Sequence, residues 1–342
     1  MKEKLIESVI NVSEARNEDV IYLLEDTLQE EKALYHLHTE RNYSANRSVF
    51  SFAASPSIIE DSTFKFIKVA TDLIDMEKHK GVHPRIGAVD VVPFIPLYNT
   101  TMQEAIIVAD NVAKRVAKEL KIPVYLYGEN ATSLERYRVP FIRKGEYEGL
   151  EKRMKEGFIP DYGPISFNKK SGATIIGARG LMVAYNINLK STDLEAAKAI
   201  AAHCRTQKSF LNNEAVGGLF EGLQAKGWFI EEYNCVQITT NIHNLNATSL
   251  HALYESIKKI AKKYNQEVNG SELIGLVPKE YLLQSGYFYN HNKEIEKDIR
   301  LSNKLNKNEQ ELLIDKAIKN LGLNSVVPFN PNLQIIESVL ML

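Results

Sequence analysis

Residues 79–96 read HKGVHPRIGAVDVVPFIP and join a helical pattern to a strand pattern. Before them, residues 63–76 have apolar side chains at helical spacing, and Gly81 and Pro84 then prevent the helix from continuing. After them, residues 89–95 are apolar and rich in β-branched side chains, which is typical of a buried strand. We therefore expect a helix, a polar loop and a strand, with the loop presenting reactive groups.

His83 in this loop has three alternative roles. It can be structural, with the ring capping a carbonyl group. It can be a metal ligand together with His79, although a four-residue spacing suits a continuous helix and no third ligand stands nearby. It can be a general acid/base, because the pKa of imidazole lies near neutrality and the cations Lys80 and Arg85 would lower it and favour the basic form. The local pattern leaves these alternatives open.

The composition excludes several classes of protein. A chain of 342 residues predicts about two domains, and a net charge of -1 argues against a general nucleic-acid or membrane-surface binder. Cys204 and Cys235 are the only cysteines, so we expect no disulfide framework and a reducing environment. Residues 1–12 lack the pattern of a signal peptide, and no apolar stretch has the length needed to cross a bilayer. We therefore expect a soluble, cytoplasmic protein.

The first half of the chain alternates strand and helix patterns. The predicted strands are 5–12, 33–38, 48–53, 89–95 and 123–127. The predicted helices are 18–30 with Asn17 as its cap, a segment from 58 to 76, 101–120, and a charged surface helix at 137–158. Residues 40–47 are predicted to be a polar turn.

The second half repeats this mixture after a glycine-rich region at residues 161–180. The predicted strands are 181–189, 228–230 paired with 236–241, and 272–277. The predicted helices are 193–207 capped by Thr192, 216–225, 249–264, and most of the chain from 278, including a charged patch at 294–300. Neither half shows strict βαβ alternation, so we predict two α+β units, residues 1–180 and 181–342, facing each other across a ligand cleft.

Two glycine-rich stretches do not match nucleotide-binding loops. SGATIIGARG at 171–180 lacks the Lys-Ser/Thr ending of a P-loop, and GGLFEG at 217–222 has no strong strand before it. Residues 163–172 differ, because they are polar, contain Phe167 and lie at the predicted domain junction. This loop could close over a flat ligand.

Six stretches in order carry a family resemblance: HKGVHPRIGAVDVVPFIP, PVYLYGENA, GPISF, GARGLMVAYNINL, VQITTN and SELIGLVP. Together they resemble the glutamate formiminotransferase family of folate-dependent enzymes. The resemblance covers residues 3–340 and stops at the transferase unit, without the cyclodeaminase to which vertebrate members are fused.

The resemblance implies an α+β or α/β fold and a one-carbon transfer. Two subdomains with facing mixed β-sheets and helices on the outside would enclose a folate tunnel, in a homodimer. A formimino group would pass between N-formimino-L-glutamate and N5 of tetrahydrofolate in histidine degradation. Tetrahydrofolate would be a co-substrate, and no metal would be needed.

The resemblance also assigns site residues. The family's catalytic histidine falls on His83, where one imidazole can act as base and then as acid. The family has an aspartate six residues before an Asn-Arg pair; here that acid is Glu40, which would orient the imidazole or relay a proton. Arg47 suits a substrate carboxylate, because a guanidinium binds one bidentately. The other implied substrate-binding residues are Asn46, His79 and Arg85.

A ten-residue loop is the implied folate-binding segment. Phe167 would stack on the folate ring or pack in the core, and the lysine pair Lys169–Lys170 could bind the glutamate tail. Ala15 replaces a family glycine and would strain its turn if that position needed a positive φ. The loop consists of Gly163, Pro164, Ile165, Ser166, Phe167, Asn168, Lys169, Lys170, Ser171 and Gly172.

Three alternatives remain at this point. A close relative would move a formyl group from 5-formyltetrahydrofolate to glutamate and salvage folate. A catalytically weak folate-binding homologue would follow if Glu40 and Ala15 mark a decayed site. A metal-binding protein would use His79 and His83.

Overall fold

The computed structural model describes residues 4–211, 214–291 and 301–340. The chain divides into two compact units, Met1–Leu181 and Met182–Leu342, and each unit has its own β-sheet with helices. The predicted charged patch at 294–300 lies outside the described residues. No described helix combines the length and apolar character needed to cross a membrane.

Unit 1 is built on a six-stranded mixed sheet in the order β2-β3-β1-β4-β6-β5. Strands β2, β3, β1 and β4 pair antiparallel, whereas β4, β6 and β5 pair parallel. Its elements are β1 (Leu5–Val12), α1 (Glu18–Gln29), β2 (Tyr35–Asn42), β3 (Arg47–Ala54), α2 (Pro56–Leu73), β4 (Val89–Tyr98), α3 (Met102–Arg115) with a π-helical turn Val116–Leu120, β5 (Val124–Leu126), a 3₁₀ turn Gly128–Asn130, α4 (Val139–Ile142), α5 (Glu146–Lys155) and β6 (Thr174–Ala178).

The predicted helix starts in unit 1 have local causes. Asn17 caps α1 by accepting hydrogen bonds from the amides of Asp19 and Val20, as predicted. Thr101 and Glu104 form a reciprocal capping box at the start of α3. The strand predicted at 5–12 and the helix, loop and strand expected around residues 79–96 are also confirmed.

The two faces of the unit 1 sheet are different. Helices α1, α2 and α3 cover one face, where Phe50, Phe52 and Phe66 form part of the largest core. Helices α4 and α5 pack on the other face at its β5–β6 end. Residues paired directly across neighbouring strands share a face of the sheet. On β1, β2 and β3 this second face carries several polar side chains. These side chains include Glu7, Asn11, Glu40, Arg47 and Ser51.

The polar turn predicted at 40–47 is wrong. Strand β2 continues to Asn42 and β3 begins at Arg47, so only residues 43–46 form the turn. Glu40 lies inside β2, directly opposite Val49. The polar residues resemble a turn in the sequence because β2 is an edge strand with polar and charged side chains such as Glu40 and Arg41.

Two other predictions in unit 1 need correction. The helix predicted at 137–158 is broken into α4 and α5, because Gly145 between them adopts φ +80. The strand β6 was not predicted, although all five of its residues are buried. Because the segment around β6 is rich in glycine, the sequence pattern does not indicate a short buried strand.

Unit 2 has a four-stranded sheet in the order β10-β11-β7-β12 and a separate hairpin, β8–β9. Its elements are β7 (Val183–Leu189), α6 (Leu194–Cys204), β8 (Ser209–Leu211), β9 (Glu214–Val216), β10 (Leu223–Ile230), β11 (Cys235–Ile242), α7 (Leu250–Lys263), β12 (Val268–Ile274), α8 (Lys279–Asn290), a 3₁₀ turn Leu301–Asn303, α9 (Lys307–Leu321), α10 (Pro331–Gln334) and α11 (Ile336–Val339).

The two units share one topology. Strands β1 to β4 with α1 and α2, and strands β7, β10, β11 and β12 with α6 and α7, both follow the order β-α-β-β-α-β. In both sheets the spatial order of these four strands is second, third, first, fourth. Each helical crossover therefore skips one position, which an antiparallel strand fills.

This topology corrects the prediction that both sheets are mixed. Unit 1 is mixed because β5 and β6 extend its sheet with parallel pairs. The four-stranded sheet of unit 2 pairs antiparallel between all its described neighbours. Parallel strands in that sheet are never adjacent, because each crossover skips a position.

Unit 2 also corrects two local predictions. The helix predicted at 216–225 is wrong, because Gly217, Gly218 and Gly222 adopt φ +102, +78 and +68 between two strands. The cap of α6 is Asp193 rather than Thr192. The hairpin of β10 and β11 and the helix α7 are confirmed, and Ser249 is the cap of that helix.

Candidate functional site

Two loops predicted to be functional lie side by side at one end of the unit 1 sheet. We call residues 74–88 the His loop and residues 163–172 the glycine loop. The amide of Ala88 donates to the Ser171 carbonyl at 2.9 Å. The backbone thus joins the His loop to the glycine loop, independently of any side chain.

The contact between the loops requires glycine. Gly87 and Gly172 form an isolated β-bridge. Gly172 adopts φ +67, and a Cβ atom there would lie 2.2 Å from the Ile86 carbonyl oxygen. A side chain at this position would therefore force the two loops apart.

Asn46 ties the His loop to the turn at residues 13–17. Its side-chain oxygen accepts from the Ala15 amide at 3.0 Å, and its side-chain amide donates to the Lys80 carbonyl at 3.2 Å. Its backbone carbonyl accepts from His79 at 3.0 Å. Ala15 is absent from the positive-φ residues of the described chain, so the alanine that replaces the family glycine carries no backbone strain of that kind.

Arg85 braces the His loop against α5. It is 6% exposed and donates from Nε to Nδ1 of His79 at 3.2 Å. Its terminal nitrogens donate to Glu146 at 2.9 Å and to Glu148 at 2.6 Å. A shallow cavity of about 410 Å³ opens beside these four side chains. In this structure Arg85 holds the loop in place, and its guanidinium is already occupied.

Within the described part of the chain, Arg47 is the side-chain partner of His83. Nη1 of Arg47 lies 2.6 Å from Nε2 of His83. Because a guanidinium can only donate, Nε2 must be unprotonated, which assigns the ring proton to Nδ1. Nδ1 is buried and has no hydrogen bond of normal geometry within the described residues. His83 is thus a neutral base whose lone pair is covered by Arg47.

The pKa of His83 is lowered to about 3. Burial is the largest cause, followed by the positive charges of Arg47 and Arg143 and a smaller effect of Arg85, while the Pro84 carbonyl acts in the opposite direction. The predicted influence of Arg85 is present, but the other two arginines contribute more. At neutral pH the ring can accept a proton and has none to give as an imidazolium.

Glu40 acts on Arg47 rather than directly on His83. Both side chains lie on the polar face of the sheet, because Glu40 pairs with Val49, two residues beyond Arg47. Burial lowers the pKa of Arg47, and the Glu40 carboxylate opposes that effect. No hydrogen bond joins Glu40 to His83 in the described chain. Any influence of Glu40 on the imidazole in this structure passes through Arg47.

Two residues of the site were not predicted from sequence. Asp90 is 1% exposed, accepts from the Ile86 amide at 2.9 Å and accepts a second hydrogen bond from Nη2 of Arg143. The register of β1 and β4 shifts here, which makes Asp90 an extra, bulged residue. A single acid inside VDVVPFIP is a readable signal, because an unpaired buried charge is costly. Arg143 stands in a charged segment and gives no such signal.

The glycine loop is folded on itself and exposed at its tip. Asn168 accepts from the Gly172 amide at 2.7 Å through its carbonyl and from the Ser171 amide at 3.0 Å through its side chain. Ile165 is 73% exposed, and the neighbouring Ser166 is also exposed. An exposed part of this loop is therefore formed by Gly163, Pro164, Ile165 and Ser166.

Other side chains of the glycine loop have protein partners. Phe167 lies 5.2 Å from Tyr147, ring centre to ring centre, and packs against the smaller core of unit 1. Lys169 and Lys170 are both exposed, and the ammonium of Lys170 donates to the Asp72 carbonyl at 2.8 Å. Within the described residues, no such bond is seen for Lys169.

The metal-binding alternative gains no support from the described residues. They contain no group of three or more His, Cys, Asp or Glu side chains that could hold a metal ion. Both ring nitrogens of His79 have hydrogen-bond partners, namely Asn46 and Arg85. Arg47 covers the lone pair of His83. Neither histidine therefore offers a free nitrogen lone pair to a metal.

Comparisons with known proteins agree over the whole chain. Residues 5–179 match the model of the formiminotransferase domain, N-terminal subdomain, and residues 184–341 match the model of the formiminotransferase domain. The glutamate formimidoyltransferase of Streptococcus pyogenes is 36% identical over 84% of this chain and 93% of that protein. That of Thermoplasma acidophilum is 38% identical over 83% and 92%.

Longer relatives match as well. The formimidoyltransferase-cyclodeaminase of Rattus norvegicus is 39% identical over 98% of this chain, and the match spans 59% of that relative's length. Two domain models together with relatives of similar length establish the relationship. The chain belongs to the formiminotransferase domain family.

Proposed function

We propose that this protein is a glutamate formiminotransferase, which moves a formimino group from N-formimino-L-glutamate to N5 of tetrahydrofolate and releases L-glutamate. The observation that carries the proposal is a neutral, half-buried His83 whose Nε2 lies 2.6 Å from Arg47, in a loop joined to the glycine loop. Family membership supplies the reaction class. The site supplies a base next to a binding group for a carboxylate.

His83 would act as base and then as acid. N5 attacks the formimino carbon and forms a tetrahedral adduct, and the imidazole takes the proton that N5 must lose. The bond from that carbon to the glutamate nitrogen then breaks, and the imidazolium returns the proton to the departing amine. One side chain so serves both steps, and the products are 5-formiminotetrahydrofolate and L-glutamate.

Arg47 would release the imidazole when substrate binds. In this structure its guanidinium covers Nε2 of His83, and its own Nε is buried without a partner among the described residues. A substrate carboxylate is a stronger acceptor than a neutral imidazole. Arg47 would then leave His83 and bind the carboxylate, which would free the lone pair on Nε2. Glu40 would orient Arg47 from the same sheet face.

The remaining assignments follow the family. We propose that residues 163–172 bind folate through the exposed tip and Lys169, and that Asn46, His79 and Arg85 shape the substrate pocket by holding the His loop. The units would be the two subdomains, residues 1–180 and 181–342, with folate in a tunnel between their sheets. A cytoplasmic location would fit two buried, free cysteines, Cys204 and Cys235. A homodimer would follow the family.

The test is a transfer assay on purified protein with two donors. N-formimino-L-glutamate is offered with tetrahydrofolate, and 5-formyltetrahydrofolate is offered with glutamate. We expect formimino transfer, and His83→Gln should lower kcat by about 100-fold or more while folate binding persists. His203→Gln, at a half-buried histidine of unit 2, is the control.

The outcomes separate the alternatives. Formyl transfer alone would replace this proposal with folate salvage. Folate binding without either transfer would identify a weak homologue. Transfer that survives in His83→Gln would remove His83 from the mechanism.

A further inference from the structure

Two arginines near His83 keep buried nitrogens without partners. Within the described residues, Nε of Arg47 and Nε of Arg143 are both buried and form no hydrogen bond. A buried, unused donor on a charged group is costly and calls for an explanation, which an acceptor on a ligand would supply here. The two guanidinium groups are close enough that the charge of Arg143 lowers the pKa of Arg47 and of His83.

Asp90 fixes the orientation of the Arg143 guanidinium group. Asp90 uses one carboxylate oxygen on the Ile86 amide and the other on Nη2 of Arg143. It is 1% exposed and sits at the bulge in β4, so it cannot easily turn away. Asp90 thus holds the guanidinium through Nη2, and the buried Nε of Arg143 is left for another acceptor.

The donor implied by the proposed function has two carboxylates. Its formimino group is on the amino nitrogen, so the α-carboxylate lies next to the reacting carbon and the side-chain carboxylate lies several bonds away. Arg47 contacts His83 directly and therefore suits the α-carboxylate. Arg85, the other arginine predicted to bind substrate, is already occupied by Glu146 and Glu148, so the second carboxylate still lacks a partner.

We propose that Arg143, positioned by Asp90, binds the side-chain carboxylate of the glutamate substrate and selects a dicarboxylate over its amide. This inference rests on the proposed function for the identity of the ligand. Asp90 is then a positioning residue, and Arg143 is a specificity-determining residue. Arg47 and Arg143 would then each bind one carboxylate of the same small dianion.

Equilibrium binding tests the inference without requiring turnover. L-Glutamate is compared with L-glutamine, which lacks the side-chain charge, and with L-isoglutamine, which lacks the α charge. Calorimetry on the full chain should show wild type preferring glutamate to glutamine by about 10-fold to 100-fold, the usual range for a charge-assisted contact. In Arg143→Gln that preference should fall below about 3-fold, while the preference over isoglutamine persists.

A matched control is available in the same unit. Arg136 is also partly buried and is paired with a buried aspartate, Asp161, at 2.6 Å. Arg136→Gln should leave both preferences unchanged. Arg143→Lys keeps the charge and should retain part of the preference over glutamine, which also covers the case in which Arg143→Gln folds poorly. Asp90→Asn should weaken glutamate binding and reduce the same preference.

The result that overturns the inference is equally specific. If Arg143→Gln distinguishes glutamate from glutamine as well as wild type does, or if Asp90→Asn does so where Arg143→Gln does not fold, Arg143 does not bind that carboxylate. Equal binding of glutamate and glutamine by wild type overturns it too. A wild type that transfers no formimino group but shows the Arg143-dependent preference would contradict the proposed function and support this inference.

Discussion

At the scale of single residues, the site is defined by a histidine kept neutral by its surroundings. A pKa of about 3 keeps the ring unprotonated at pH 7, but it makes the ring a weak base and leaves it no proton to give back as an acid. The substrate can resolve this conflict. Carboxylates bound at Arg47 and Arg143 would cancel the positive field and remove the hydrogen bond to Nε2, and both changes raise the pKa of His83.

We therefore predict that glutamate raises the pKa of His83. The nitrogen shifts of labelled histidine, followed by NMR between about pH 4 and 7, should show a neutral ring in the free protein. Saturating L-glutamate should raise the pKa of His83 by about 1 to 2, and Arg143→Gln should weaken that effect.

His251 in unit 2 is the internal control, because its pKa is lowered to about 4 by burial and not by the two arginines. Its shifts should not respond to glutamate. A His83 signal that is equally unresponsive would separate ligand binding from the protonation of the base.

Some residues of the site can be predicted from the sequence, and others cannot. His83 is recognisable because loop chemistry and family spacing agree on it. The contact between Arg47 and His83 is not, because it joins the start of one strand to a loop 36 residues later. Arg85 and Asn46 are predicted to bind substrate, whereas in the structure their side chains are engaged within the protein.

At the scale of elements, the site depends on the backbone pairing of the His loop and the glycine loop. Gly172 is where this pairing is tightest, since a Cβ atom would meet the Ile86 carbonyl at 2.2 Å. Gly157 offers a comparison, because it has φ +99 but a Cβ atom there would meet no other atom within 4 Å.

We predict that Gly172→Ala is much more harmful than Gly157→Ala. Strain at positive φ alone should lower the free energy of unfolding by about 1 to 2 kcal/mol in Gly157→Ala. Gly172→Ala adds a collision with backbone and should cost about 3 kcal/mol or more, with a loss of transfer activity in the folded fraction. Urea unfolding measures the free energy of unfolding of each variant, and the transfer assay measures its activity. If both variants lose the same free energy of unfolding, the two loops can move apart enough to accept a side chain at Gly172.

Elements are predictable where one signal dominates. The helix α1 and the strand β1 each have a cap or a periodic pattern of their own. Strand β6 and the break between α4 and α5 depend on partners far away in sequence, which a local pattern cannot supply. The false helix at 216–225 arises when helical periodicity is counted without weighing three glycines that need positive φ.

At the scale of the whole molecule, two units repeat one β-α-β-β-α-β topology but carry different side chains on it. The sequence predicts nearly the same succession of strands and helices in both halves, but it does not give the order of the strands within each sheet, because that order comes from crossovers that skip a position. Each unit also buries a histidine whose pKa is lowered: His83 to about 3 in unit 1 and His251 to about 4 in unit 2. Acid sensitivity is thus built into both halves of the chain.

The acid sensitivity of unit 2 centres on His251. Its ring is 6% exposed, is hydrogen-bonded to Ser249 and Ser285, and stacks on Phe288. Because its folded pKa lies below the unfolded value of 6.5, the unfolded chain takes up a proton first as pH falls. The stability present above pH 6.5 is therefore lost between about pH 6.5 and 4, by about 3 kcal/mol for this group.

His251→Gln should remove this group's share of the loss. The difference in free energy of unfolding between wild type and variant should shrink or reverse by about 3 kcal/mol from pH 7 to pH 4, as measured by urea unfolding at several pH values. His83→Gln should flatten the same curve independently, and the double variant should show the sum, because the two groups belong to different units. Parallel curves for wild type and all three variants would mean that neither histidine is held neutral by the fold.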